Sequence, residues 1–213
     1  MTTAIIGVGS IGARVARLLV DGGEPVVLAA RDTSQAEEFA KELGEQAVAA
    51  SVADAIGQAD AIVFAVLFDV IKDLVAEHAD LLDGKLVIDP SNPISFDEKG
   101  NASRTLPDGQ SAGSVIASLL PAGAHFVKAF GTLPAELLTS GTNRTPERAV
   151  LFYATDDDEA AAERLITVAG FDPVKAGGVS ASLRIEVFGD LHPMGGLNGK
   201  LLTAAEARAA VAG

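Results

Sequence analysis

Three glycines near the start of the chain have the spacing of a phosphate-binding turn. They lie in the stretch Gly7-Val8-Gly9-Ser10-Ile11-Gly12, which follows the apolar run 3–6 and precedes apolar residues at helical spacing. In a strand–turn–helix of this kind the first glycine makes the turn, the second lets the backbone approach a pyrophosphate, and the third lets the helix pack on the strand. N–H groups at the helix start then bind the anion. The stretch predicts dinucleotide binding, and a turn that binds nothing is the alternative.

The residues after the second apolar run indicate which dinucleotide binds. An NAD site places a carboxylate here for the ribose 2′-hydroxyl, whereas an NADP site places an arginine for the 2′-phosphate. Arg31 has this position, between Ala30 and Asp32, and Thr33 follows. A guanidinium matches the geometry of a phosphate, and Asp32 can cap the next helix. We therefore predict NADP(H); the competing interpretation makes Asp32 the ribose ligand.

Apolar runs alternate with helical patterns along most of the chain. The alternation predicts a Rossmann-type, doubly wound α/β fold, with a parallel sheet covered by helices on both faces. We expect a dinucleotide-binding core at 1–122. A smaller C-terminal part at 123–213, with α/β and helical elements, would complete the sheet and the substrate pocket, packed as one unit with the core.

The local patterns also predict individual elements. Ser34-x-x-Glu37 has the form of a capping box that starts a helix over 35–43. One continuous helix is predicted over 70–82, and the polar residues 95–111 are predicted to be a surface loop. Because ligands of such sheets bind at the carboxyl ends of the strands, residues 7–12, 30–33, 66–70 and 89–93 should share one crevice.

Composition excludes several classes of function. The net charge is −13, which argues against binding to nucleic acids or anionic membranes. Cysteine is absent, which removes thiol nucleophiles and cysteine metal sites and fits a cytoplasmic protein. No metal-ligand set and no Ser-His-Asp grouping is recognisable. The first predicted strand follows Met1 and Thr2 directly, so we expect no signal peptide, and the apolar run 61–68 is too short to span a bilayer.

Four segments together resemble a known family. They are Ile5–Gly12, Ala30-Arg31-Asp32, Ile88-Asp89-Pro90-Ser91-Asn92-Pro93 and Val127-Lys128-Ala129-Phe130-Gly131-Thr132-Leu133-Pro134-Ala135. Their order and spacing are similar to those of the F420-dependent NADP oxidoreductases, as far as about Leu183. Members of this family transfer a hydride between NADP(H) and coenzyme F420, a deazaflavin. The Asn-Pro turn and the Lys-Ala-Phe-x-Thr strand end are the more specific segments.

The resemblance implies a role for each segment. Val8–Ile11 would contact the pyrophosphate and ribose, Ala30 and Arg31 the 2′-phosphate, Val66 the adenosine or ribose, and Asn92-Pro93 the nicotinamide. Gly131–Ala135 and the region of Met194 would face the second substrate. The predicted cofactor residues are Gly7, Val8, Gly9, Ser10, Ile11, Gly12, Ala30, Arg31, Thr33, Val66, Leu67, Asn92, Pro93 and Ala135. The predicted substrate residues are Phe130, Gly131, Thr132, Leu133, His192 and Met194.

Two positions depart from the family pattern. Ala30 stands where relatives often have serine or threonine, so one phosphate donor is missing. Gly131 stands where relatives often have asparagine or histidine, at the expected contact with the deazaflavin.

Hydride transfer between two rings needs stacking and exclusion of water more than it needs an acid or a base. We therefore predict no catalytic side chain, with Asn92, Thr132 and backbone N–H groups orienting the rings. His192 precedes Pro193-Met194-Gly195-Gly196, a turn that could cover the pocket, and a proton-handling role for it is the alternative.

Other functions remain open at this level. The acceptor is expected to be F420 or a flavin-like small molecule. The alternatives are an NADPH-dependent reductase of an imine or hydroxy acid, which would need a long helical second domain, and a non-catalytic NADP-binding sensor. The apolar tail after Ser180 suggests a homodimer.

Overall fold

Ten strands form one large sheet and one small hairpin, and the computed structural model describes residues 1–213. In chain order the strands are Thr3–Ile6 (β1), Val26–Ala29 (β2), Ala47–Ala49 (β3), Ala61–Phe64 (β4), Leu86–Asp89 (β5), Ile94–Phe96 (β6), Ala102–Arg104 (β7), His125–Lys128 (β8), Val150–Ala154 (β9) and Asp172–Gly177 (β10). Strands β6 and β7 pair only with each other. The other eight form a sheet in the order β10-β9-β8-β5-β4-β1-β2-β3.

Six neighbouring strands, from β8 to β3, are parallel, which confirms the predicted Rossmann-type sheet. Strand β9 runs antiparallel to β8, and β10 is parallel to β9. Side chains that follow β9 hold this direction, because the Thr155 hydroxyl donates to the carbonyl of Phe126 and Asp157 accepts from the N–H of Phe126. The alternation of apolar runs gave no sign of this reversal.

Ten α-helices connect and cover the strands. They are Ser10–Asp21 (α1), Thr33–Leu43 (α2), Val52–Gln58 (α3), Phe68–Glu77 (α4), Ala79–Leu82 (α5), Ala112–Leu119 (α6), Ala135–Gly141 (α7), Ala160–Val168 (α8), Ser182–Ile185 (α9) and Ala204–Ala212 (α10). A 3₁₀ turn, Val179–Ala181, precedes α9. None of these helices combines the length and the apolar composition needed to cross a bilayer.

The apolar side chains form a core on each face of the sheet. Alternate strand residues point to opposite faces, so Ile5 and Val63 pack under α1, α2, α7 and α8, while Ile6 and Phe64 pack under α3, α4 and α6. A smaller cluster joins β9 and β10 to α9 and α10. Because helices cover both faces, the central strands consist almost entirely of apolar residues.

Two helix predictions were wrong in detail. Helix α2 starts at Thr33 rather than residue 35, since the Asp32 carboxylate accepts from the N–H of Ser34 and caps it; Ser34 is inside the helix. The helix predicted over 70–82 is interrupted at His78, whose backbone leaves the helical region (φ −117°, ψ 22°). The chain then forms the separate short helix α5, which buries Leu82.

The predicted surface loop 95–111 contains the β6–β7 hairpin, which was not foreseen. Asp97 closes it, because its carboxylate accepts from the N–H groups of Lys99 and Asn101, while Gly100 takes a positive φ of 81°. The predicted boundary at residue 122 lies between α6 and β8. Since β8 pairs directly with β5, both parts share one sheet, and their separate roles stay a prediction.

Candidate functional site

The glycines at the end of β1 have three different surroundings. Gly7 has a φ of 101°, and a Cβ on it would lie 2.5 Å from the carbonyl oxygen of Ala65. A Cβ on Gly12 would overlap the carbonyl oxygen of Gly7. A Cβ on Gly9 would meet no atom within 4 Å. Gly7 and Gly12 are thus required by the fold, whereas the space beside Gly9 is open to a ligand.

The first turn of α1 has unused hydrogen-bond donors. The backbone N–H groups of Ser10, Ile11 and Gly12 have no acceptor within the protein, and Gly9 at the N-cap has no side chain to supply one. The first turn also contains no acidic residue. Together with the positive end of the helix dipole, these donors form a binding site for an anion.

A cavity of about 580 Å³ opens beside these donors, at the carboxyl ends of β1, β2 and β4. Its volume is in the range of small-molecule sites. Its lining is mostly apolar and consists of Ile6, Gly7, Val8, Gly9, Ala30, Arg31, Asp32, Gln35, Val52, Ala65, Val66, Leu67, Val70 and Leu74. Seven of the fourteen predicted cofactor residues lie on this wall. The other seven lie outside it and are Ser10, Ile11, Gly12, Thr33, Asn92, Pro93 and Ala135.

Arg31 and Asp32 differ in their availability to a ligand. The side chain of Arg31 makes no ion pair and no hydrogen bond and is exposed at the edge of the cavity. The Oδ1 atom of Asp32 accepts from the hydroxyl (2.6 Å) and the N–H (3.1 Å) of Ser34. These bonds from Ser34 lower the pKa of Asp32 below its ordinary value. Oδ1 of Asp32 is thus engaged as a helix cap, whereas the guanidinium of Arg31 has no partner within the protein.

Asn92 connects three segments at the carboxyl ends of β5 and β8. Its Nδ2 donates to the carbonyl of Gly131 (2.9 Å), and its Oδ1 accepts from the N–H of Val187 (2.7 Å). Next to it, the carbonyl of Pro93 accepts from the N–H of Thr105 at the base of the hairpin. Both polar ends of Asn92 are thus used to hold the fold, so its contact with nicotinamide stays a prediction.

The predicted substrate segment after β8 is tightly packed. Phe130 and Leu133 lie in the core beneath α7, and Phe130 has a φ of 63°, an unfavourable value for a bulky residue. A Cβ on Gly131 would overlap the carbonyl oxygen of Pro90, so this backbone leaves no room for a larger residue at position 131. Thr132 is buried, and its hydroxyl has no partner. Ala135 follows as the first residue of α7.

His192 is buried against this segment, with a side chain in the neutral form. Its Nδ1 accepts from the N–H of Met194 (3.0 Å), which places the proton of the neutral ring on Nε2. Burial lowers the pKa of His192 to about 4, an effect that the nearby carbonyl of Gly131 only partly offsets. Nε2 has no hydrogen-bond partner. The ring is therefore a neutral donor at physiological pH, and Met194 beside it is partly exposed.

A group of buried charges lies under the same loops and was missed by the sequence reasoning. Lys128 Nζ is 2.8 Å from Asp89 Oδ2 and 3.5 Å from Glu186 Oε1, and all three residues are almost completely buried. Arg104 of β7 lies 3.6 Å from the other oxygen of Glu186. The signal was present, since Asp89 and Lys128 are ionisable residues at the ends of apolar runs, where a charge requires a partner.

Comparison with known proteins places this arrangement in a family. A family model described as NADP oxidoreductase, coenzyme F420-dependent, matches residues 2–93. A hypothetical protein, SMa0349 from Sinorhizobium meliloti, is 32% identical, with 95% of each chain covered and a TM-score of 0.80. A putative F420-dependent NADP-reductase from Arthrobacter sp. FB24 is 25% identical, with 85% of this chain and 87% of that chain covered and a TM-score of 0.72.

More distant structures share the fold alone. A reductive aminase from Aspergillus terreus, solved with NADPH and ethyl levulinate, is 18% identical and has a TM-score of 0.62. The match covers 85% of this chain and 56% of the aminase. No curated protein matches this chain.

The fold and the family match define an NADP-linked oxidoreductase of the Rossmann type. The chain belongs to the family of coenzyme F420-dependent NADP oxidoreductases.

Proposed function

We propose that the protein transfers a hydride between NADP(H) and a deazaflavin such as coenzyme F420, or a flavin-like acceptor. The order of the strand ends carries this proposal. Along the carboxyl edge, Arg31 follows β2, the glycine turn follows β1, Val66 follows β4, Asn92 follows β5 and Gly131 follows β8. At about 4.8 Å per strand, this row extends over roughly 19 Å. An extended dinucleotide along it would have its 2′-phosphate at Arg31 and its nicotinamide near Asn92.

The far end of this row suits an uncharged ring. Asn92, Gly131 and Thr132 carry no charge, and burial keeps His192 neutral. The charges of Asp89 and Glu186 are balanced by those of Lys128 and Arg104 beneath the loops. Stacked rings can exchange a hydride in such surroundings, where the protein supplies orientation and keeps water out. Hydride transfer moves two electrons and a proton together, so no separate acid is needed for the carbon-to-carbon step with a deazaflavin.

A turnover assay with a panel of acceptors tests the proposal. The purified protein is mixed with NADPH and, in separate reactions, oxidised F420, FMN, FAD and a cyclic imine, and the loss of NADPH absorbance is followed. We expect oxidation with F420, or with a flavin. Turnover with the imine alone would identify a different reductase, and tight NADPH binding without turnover on any acceptor would favour a sensor. Either result would contradict the proposal.

A further inference from the structure

Arg14 lies over the first turn of α1, although sequence reasoning gave it no role. Its Nη1 donates to the carbonyl oxygen of Ser10 (2.7 Å) and to the Ser10 hydroxyl (3.0 Å). The guanidinium is therefore folded back to the helix end that carries the unused N–H groups of Ser10, Ile11 and Gly12. A side chain on a helix points towards the N-terminus, so this approach needs no distortion of the helix.

This position is unfavourable for a cation in the unliganded protein. The N-terminus of a helix carries the positive end of the dipole, so a positive charge there is repelled. Arg14 has no carboxylate partner, although acidic residues outnumber basic ones, 29 to 16, in this chain. Its Nε is also buried without a hydrogen-bond partner. An anion bound at the same helix end would offset the repulsion between the guanidinium and the dipole.

The side chain also has a donor left for such an anion. Arg14 Nη2 makes no hydrogen bond within the protein and is not among the buried unpaired atoms, so solvent or a ligand can reach it. Helix α1 packs against α7, which follows the predicted substrate segment. Arg14 belongs to the helix that follows β1, whereas Arg31 follows β2, so the two arginines come from different strand ends of the edge.

We infer that Arg14 is a second cationic cofactor-binding residue, which contacts the diphosphate of NADP(H) together with the N–H groups of α1. The cofactor would then be bound by two arginines with separate tasks. Arg31 recognises the 2′-phosphate that only NADP(H) has, whereas Arg14 recognises the diphosphate that NADP(H) and NAD(H) share. This inference rests on the NADP-linked family assignment and is independent of the identity of the acceptor.

Titration of an Arg14→Met variant without acceptor tests the inference. The dissociation constants of NADPH and NADH are measured by calorimetry, and the Tm of the unliganded protein is recorded. Arg17→Met is the matched control, because Arg17 lies on the same helix but pairs with Glu42 (2.8 Å) and stacks on Phe39, away from the turn. We expect Arg14→Met to weaken both dinucleotides about tenfold, as for loss of a charged hydrogen bond. The ratio of the two constants should not change.

The Tm separates this role from a structural one. Because the removed cation lies at the positive end of a helix, the unliganded Arg14→Met protein should melt at the same temperature as the wild type or higher. Arg17→Met should bind both dinucleotides as the wild type does. The inference would be overturned if Arg14→Met bound both dinucleotides within twofold of the wild type. It would also be overturned by a loss of affinity for NADPH alone, or by a loss of affinity together with a lower Tm. A wild type that binds neither dinucleotide would instead refute the cofactor assignment.

Discussion

Single residues differ in whether the fold already uses their polar groups. Asp32 caps α2 through its Oδ1 atom, and both polar ends of Asn92 hold loops together. Arg31 has no partner at all, and it lies on the wall of the cavity. The planar guanidinium of Arg31 has the geometry to bind a phosphate at this edge of the cavity. We therefore predict that recognition of the 2′-phosphate depends on Arg31.

Replacing Arg31 with methionine should remove most of the difference in affinity that we expect between NADPH and NADH. The variant loses the fork of donors for the 2′-phosphate, so we expect its NADPH affinity to fall tenfold or more, about 1.5–3 kcal/mol, as for a hydrogen bond to a charged group. The affinity for NADH should remain within about twofold, because NADH lacks that phosphate. Calorimetric titration of both dinucleotides measures the change.

Asp32→Asn is the control for this experiment. Asparagine caps a helix as well as aspartate does, so the variant keeps α2 intact while removing the negative charge. We expect its ratio of NADPH to NADH affinity to be no lower than that of the wild type. An Arg31→Met variant that loses affinity for both dinucleotides equally would show that Arg31 does not select the cofactor. An Asp32→Asn variant that loses affinity for NADH would show that Asp32 does.

Burial of His192 should make the free energy of unfolding decrease as the pH falls below neutral. Its pKa falls from 6.5 to about 4 on folding, so between these values the unfolded chain binds a proton that the folded protein does not. Stability is therefore full above the unfolded pKa and decreases as the pH falls towards 4. Between about pH 7 and pH 5 the loss from this group is on the order of 2 kcal/mol. Urea unfolding at both pH values measures it.

His192→Asn is the variant that isolates this effect. Asparagine keeps an acceptor for the N–H of Met194 but has no proton to bind, so its stability should change less than that of the wild type over the same interval. Turnover of the wild type should be independent of His192 protonation near neutral pH. An equal acid sensitivity in both proteins would show that the imidazole is not buried in its neutral form.

At the scale of elements, the buried charges connect parts of the chain that are distant in sequence. Lys128 at the end of β8 pairs with Asp89 at the end of β5, and Glu186 after α9 joins them. Glu186 also accepts from the N–H of Gly113 in α6 (3.0 Å) and faces Arg104 of the hairpin. The two carboxylates and two cations compensate each other, so each needs the others to remain buried.

Glu186→Gln should destabilise the fold without affecting the cofactor. Glutamine has the same shape and keeps an acceptor for Gly113, but the charge opposite Lys128 and Arg104 is lost. We expect the free energy of unfolding to fall by about 1.5–3 kcal/mol. Asp190→Asn is the control, because Asp190 is exposed and its pair with Arg184 is only partly buried, so the pair should be worth less than about 1 kcal/mol.

Urea unfolding of both variants measures these changes, and NADPH titration completes the test. Because Glu186 does not line the cavity, NADPH affinity should stay within about twofold of the wild type. Equal stability of the Glu186→Gln and Asp190→Asn proteins would contradict the account of the buried charges.

The sequence predicts those elements and site residues that depend on neighbours in the chain. The glycine turn, Arg31 and the apolar strands are local patterns, and the Rossmann-type sheet is confirmed. The direction of β9 depends on bonds from Thr155 and Asp157 to β8, about 30 residues earlier, which no local pattern shows. The links from Asn92 to Gly131 and Val187 span 39 and 95 residues, so the second half of the candidate site could not be assembled from the sequence.

At the scale of the whole molecule, the protein is acidic whereas NADP(H) is an anion, so binding depends on the local positive charge at the site. The net charge of −13 would repel NADP(H) at long range. The carboxyl edge of the sheet differs from the rest of the surface, because the open helix N-terminus and Arg31 meet there beside an apolar cavity. All segments of the proposed reaction path lie on this one edge, which a parallel sheet brings about by ending its strands side by side.

Binding of NADPH to a Gly9→Ala variant tests the central claim most directly, namely that the cofactor diphosphate lies on the N-terminus of α1. The added methyl group meets no atom of the protein, and the φ of Gly9, −75°, is ordinary for alanine. We therefore predict an unchanged Tm together with NADPH affinity at least tenfold weaker, because the methyl group occupies the space of the phosphate. Wild-type affinity in a normally folded Gly9→Ala protein would contradict the account.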